Sequence, residues 1–124
     1  MRNRSTSTSF PCIVLGLTLL AAGSVWALER TEQQRIEDAI RAVATSDLVF
    51  IRNGEEVDGK RAADHLRLKL KNAGERIRTF DDFVDRVATK SSISGTPYLV
   101  KIKDGNTQEL SSWIRQQDKA AGAG

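Results

Sequence analysis

His65 is the sole histidine of a 124-residue chain that also carries Ser91, Ser92, Ser94 and many aspartates. These types could form a serine triad, in which imidazole takes the hydroxyl proton and a carboxylate orients the ring. The Gly-x-Ser-x-Gly elbow is missing, because Lys90-Ser91-Ser92-Ile93-Ser94-Gly95 lacks its first glycine. A hydrolase therefore ranks behind a binding protein. The same serine-rich loop offers hydroxyls and backbone N–H groups beside Lys90, a concavity suited to an anion. It lacks the spacing of a nucleotide phosphate loop, and loop hydroxyls commonly bond their own backbone. One cysteine excludes an internal disulfide, and one cysteine with one histidine excludes an ordinary zinc cage. Asp81, Asp82 and Asp85 crowd a helix start, where the dipole favours them, and lack the spacing of a calcium loop. Neither a metal site nor a cofactor is expected.

The chain opens with Arg2 and Arg4, followed by an uncharged stretch from Phe10 to Leu28 with an apolar centre at Ile13–Ala22. Val25 and Ala27 are small residues suited to the positions before a cleavage point. This layout predicts a secretory signal peptide over residues 1–27, cut after Ala27. The alternative is an uncleaved anchor, since the stretch approaches the ~20 residues that span a bilayer. In both cases the leading arginines stay inside and the domain lies outside, in the periplasm. Membrane contact is then limited to that segment. Cys12 precedes the apolar centre and has no lipobox. Removal of residues 1–27 lowers the basic count from 19 to 17 against 16 acidic residues, so +3 becomes +1 and no cysteine remains. A near-neutral domain has no electrostatic case for nucleic acid.

The elements that must position any site follow from periodicity. Thr31 and Gln34 form a capping box before a helix to about Ala44, with Ile36, Ala39, Ile40, Val43 and Ala44 on one stripe. Leu48–Ile51 reads as a strand ended by Asn53-Gly54, a hairpin signal that is weakened by the polar Glu55-Glu56-Val57 after it. Asp58 caps a helix from Gly59 to Asn72, closed by Gly74. Its inner face holds Ala62, Ala63, Leu66, Leu70 and Ala73. Leu68 falls on the opposite side with Asp64, His65 and Asn72. Asp64, Leu68 and Asn72 are therefore a candidate interaction surface. Thr79 and Asp82 cap a third helix whose stripe is Phe80, Phe83, Val84, Val87 and Ala88. Tyr98–Lys103 alternates as a half-buried strand. Thr107–Gln117 reads as a last helix, with a strand after Asp104-Gly105 as its alternative. Together these predict one small α+β domain over residues 28–118, with about four helices around a short antiparallel sheet and a frayed tail at 119–124. The sheet has two strands, or three if Glu55–Val57 pairs.

Three strings stand in this order: Phe50-Ile51-Arg52-Asn53-Gly54, Ala62-Ala63-Asp64-His65-Leu66-Arg67-Leu68-Lys69-Leu70, and Ser91-Ser92-Ile93-Ser94-Gly95-Thr96-Pro97-Tyr98. Their spacing resembles the YfeK-like family of short exported bacterial proteins, a domain of unknown function. The resemblance covers Glu32 to Trp113. It implies a bacterial, exported protein and supplies no activity, cofactor or catalytic residue. It also implies that the three strings define the family, so Arg52, Asn53, His65, Arg67, Ser92, Ser94 and Tyr98 are candidates for one shared polar site. The competing reading is that these groups cap helices and lock turns. The expected function is a non-enzymatic domain that binds a protein or envelope component. The alternative is a small-anion or small-ligand binder that uses the Arg52/His65/Ser92 cluster. Neither the identity of the partner nor the oligomeric state is specified by the sequence.

Overall fold

The computed structural model describes residues 29–123. The expected signal segment, residues 1–27, lies outside the described residues. Among the described residues, no helix is long and apolar enough to cross a membrane.

The order of elements is α1 (Glu32–Thr45), β1 (Val49–Arg52), β2 (Glu55–Val57), α2 (Gly59–Ala73), a 3-10 turn (Gly74–Arg76), α3 (Phe80–Arg86), β3 (Leu99–Lys101), β4 (Thr107–Glu109) and α4 (Leu110–Ala123). The four helices of the described residues and the α+β class agree with the periodicity of the sequence. Both capping boxes form: Gln34 N donates to Thr31 Oγ1 at 3.1 Å, and Asp82 N donates to Thr79 Oγ1 at 3.0 Å. Asp58 caps α2 through Arg61 N at 2.9 Å. The predicted stripes become the core, with Ile40, Val43, Leu66, Phe80, Phe83 and Val84 almost fully buried.

The sheet has four antiparallel strands, ordered β2-β1-β3-β4, rather than two or three. The apolar strands β1 and β3 pair centrally, with Phe50 opposite Val100. Both added strands are edges. Asn53 at φ 53° and Gly54 at φ 80° supply the two positive angles of a tight hairpin turn, which sets Arg52 opposite Glu55 and Phe50 opposite Val57. An edge strand needs few apolar residues because only one of its sides joins the sheet. That is why the polar Glu55–Val57 and Thr107–Glu109 pair despite weak alternation. The last segment is both a strand and a helix: Thr107–Glu109 pairs with β3, and Leu110 then begins α4. The helix runs on to Ala123, so the segment expected to fray is helical with its side chains exposed up to Gly122.

Gly59 sets how closely α2 approaches α1. It is buried at the first position of α2, and a Cβ there would overlap the carbonyl oxygen of Val43 and crowd Ser46 O at 3.2 Å. The obstacle is backbone, so it cannot rotate away. Gly59→Ala should lower stability by about 1–3 kcal/mol in chemical denaturation. An unchanged midpoint would show that the two helices are not held at this distance.

Candidate functional site

The site grows from the burial of Tyr98. This residue precedes β3 and is only 4% exposed, so its phenol needs partners inside the protein. α2 supplies two of them, one turn apart. Lys69 Nζ donates to Tyr98 Oη at 3.0 Å, and His65 Nε2 lies 3.3 Å from the same oxygen. The His65 and Tyr98 rings meet edge to face at 5.9 Å, and Lys69 Nζ sits 4.8 Å from the centre of the Tyr98 ring. Lys69 also donates to Lys90 O at 2.9 Å, which ties α2 to the start of the serine loop.

Lys69 has no acceptor, so Tyr98 Oη accepts from it, and the contact of that oxygen with His65 Nε2 runs in either direction according to the imidazole tautomer. The surroundings of His65 favour its neutral form. Burial holds its pKa below the ordinary value, and the charges of Arg52 and Lys69 depress it further.

A cleft of about 370 Å³ opens beside this cluster, between the outer flank of α2 and the β1–β3 end of the sheet. Its apolar lining includes Phe50, Val57, Leu68, Tyr98 and Leu110, and its charged lining includes Arg52, Glu55, Arg61 and Asp64. His65 joins the two. Leu68 is 56% exposed, the consequence of its place on the far side of α2 from Leu66. Phe50 continues inward to Trp113, with the rings edge to face at 5.8 Å.

The candidates from the sequence fall into three groups. Arg52, His65 and Tyr98 line the cleft, and so do Asp64 and Leu68, which the sequence assigned to a separate interaction surface. Parts of the two proposed surfaces therefore share this cleft. Asn53 and Ser94 form a lock instead. Ser94 Oγ donates to Asn53 Oδ1 at 2.6 Å, and Asn53 Nδ2 reaches Ser91 Oγ at 3.5 Å. This lock joins the hairpin turn to the serine loop, the structural role considered for these hydroxyls. Arg67 points elsewhere and pairs with Glu37 of α1 at 3.1 Å. Ser92 and Asn72 line a second, smaller cleft. The single polar site is thus divided by the fold. The side-chain partner of His65 is the Tyr98 phenol. The residues that sequence reasoning leaves out are Lys69, Arg61 and Glu55. The i, i+4 spacing of His65 and Lys69 was the available signal, but it does not reveal that Tyr98 lies beneath both.

Residues 30–121 match the family of unknown function DUF5329. The chain belongs to that family. It is similar to the uncharacterized protein YfeK of Salmonella typhimurium, being 43% identical over 89 residues that cover 70% of this chain and 72% of the relative. No solved structure matches it. In this DUF5329 chain the three strings that carry the resemblance are joined physically: the first is locked to the third through Asn53 and Ser94, and the second through Lys69, His65 and Tyr98.

The depressed His65 pKa makes a stability prediction with a definite sign. The folded state favours the neutral ring, so this contribution is complete above the ordinary histidine pKa of about 6.5. It is lost as pH falls through the lower folded value. NMR titration of the lone imidazole should give a midpoint below about 6.5, moving upward in Arg52→Gln. The pH dependence of unfolding in that range should flatten in His65→Gln. An ordinary or raised midpoint contradicts the geometry.

Proposed function

We propose that this protein is an exported, non-catalytic binding domain whose cleft beside His65 and Leu68 receives an apolar side chain of a protein partner in the cell envelope. The observation that carries the reading is Leu68, a large apolar side chain held 56% exposed on the wall of a cleft lined by Phe50, Tyr98 and Leu110. Exposed apolar surface of this kind, rimmed by charges, suits a contact site better than an isolated surface leucine does. A volume of about 370 Å³ falls toward the small end of ligand sites and fits one or two side chains. Arg52 and Arg61 face Glu55 and Asp64 around it, so the rim carries both signs and can orient a polar backbone without selecting a strongly charged ligand.

Hydrolysis finds little support in this arrangement. His65 Nε2 is engaged by Tyr98, and Ser91 Oγ and Ser94 Oγ are engaged by the Asn53 lock. A serine nucleophile needs the imidazole within hydrogen-bond reach.

Export rests on the composition of residues 1–27. Cross-linking in the periplasm followed by recovery of the protein tests both parts. The recovered chain should begin at Leu28. A specific partner should be captured by the wild type, weakened by Arg52→Ala and lost in Leu68→Asp, since a carboxylate in the apolar wall would have to be desolvated. Equal capture by all three proteins counts against the cleft as the contact site, and a chain retained from Met1 counts against cleavage.

A further inference from the structure

The smaller cleft has a different chemistry. It measures about 240 Å³ and is lined by Lys69, Arg76, Arg86, Asn72 and Ser92 together with apolar residues, and no carboxylate is among its lining residues. These three cations come from three places: the last turns of α2, the 3-10 turn after it, and the end of α3. Some cations of the domain find acids. Arg35, Arg41, Arg67, Lys101 and Arg115 all form ion pairs. Among the described residues, Lys69, Arg76 and Arg86 form none within 4 Å.

Their donors are also largely unspent. Arg76 uses Nε on Ala73 O at 3.2 Å, which leaves its two terminal nitrogens. Lys69 uses two of its three protons, on Lys90 O and Tyr98 Oη, so its head is fixed in place with one donor to spare. Among the described residues the Arg86 side chain makes no hydrogen bond, and its charge acts on Asp82 one turn earlier. Favourable interaction with helix C-termini accounts for Arg76 and Arg86 taken singly. It does not account for their convergence with Lys69, an amide and a hydroxyl on one concave surface.

We propose that this second cleft binds a phosphate group, as inorganic phosphate or as a terminal phosphomonoester. A tetrahedral dianion matches the site in charge and in acceptor number. Two guanidinium groups can each present paired N–H donors to phosphate oxygens, and Lys69 adds a point charge. A carboxylate, with one charge and two oxygens, would leave much of this array unmatched. Ser92 also sits next to Ile93, whose side chain is 96% exposed at the loop tip. That neighbour gives the site a way to meet a phosphate on a lipid surface as well as one in solution.

The test uses the folded domain and two probes. Inorganic phosphate, followed by NMR, should shift the amides of Arg76, Arg86 and Ser92 saturably. The double variant Arg76→Gln/Arg86→Gln should bind at least about tenfold more weakly, as expected for lost charge-assisted hydrogen bonds. Both side chains are exposed, so the fold should persist. Arg41→Gln, on α1, should bind as wild type. Phosphatidylcholine vesicles with and without phosphatidic acid identify the source. Stronger binding to the acidic vesicles that is lost in Ile93→Ser, with phosphate binding intact, assigns the phosphate to a lipid. Phosphate binding with no gain from phosphatidic acid assigns it to a soluble compound. Absence of saturable binding to either probe, or equal binding by the double variant, overturns the proposal.

Discussion

The phenol of Tyr98 is the point on which the two clefts depend. A hydroxyl taken out of water must be hydrogen-bonded, or it costs about 1–3 kcal/mol. Tyr98 lies at the entry to the central strand β3, and both of its partners come from α2. Satisfying this one group therefore pins a helix to the sheet. It also separates the surface into two parts. His65, on one side of the phenol, faces the apolar cleft, and Lys69, on the other, faces the cationic one. A neutral imidazole and a fixed ammonium only four residues apart give neighbouring surfaces opposite characters.

The rest of the domain holds α2 where this contact can form. Gly59 lets the start of α2 lie against the last turn of α1, where any side chain would meet backbone. Arg35 binds Asp118 with two nitrogens, at 3.2 and 2.7 Å, and stands 4.4 Å from the centre of the Phe80 ring, so α1 is linked to both α4 and the start of α3. The hydrogen bond to Asp118 raises the Arg35 pKa further. Arg115 joins α4 to α3 through Asp81 and Asp85, so these aspartates serve contacts between helices as well as the helix dipole. At the opposite end, Asn53 and Ser94 prevent the hairpin turn and the serine loop from moving independently.

The sequence made the helices legible because caps and apolar stripes are local. Thr31 with Gln34, Asp58, and Thr79 with Asp82 each name a helix start with residues no more than three apart. β2 and β4 were harder to read, since an edge strand receives its order from a neighbour and Glu55-Glu56-Val57 or Thr107-Gln108-Glu109 carries little apolar signal of its own. The site was legible in one dimension. Helical spacing places Leu68 and Asp64 away from the core stripe, and they line the apolar cleft. What spacing could not supply was the pairing across elements. Nothing near Tyr98 in sequence announces Lys69, and nothing near Ser92 announces Arg76 or Arg86. In sequence the seven polar candidates therefore read as one site, where the fold sorts them into a cleft wall, a turn lock, an α1 ion pair and a cationic rim.

The link between Lys69 and Tyr98 is the most exposed part of this account, because both clefts take their shape from it. A double-mutant cycle of Lys69→Met and Tyr98→Phe, read by chemical denaturation, measures it without reference to any ligand. The coupling should be about 1–3 kcal/mol, as expected for a partly buried hydrogen bond from a charged donor. Strict additivity of the two substitutions would mean that the phenol does not hold α2 to the sheet.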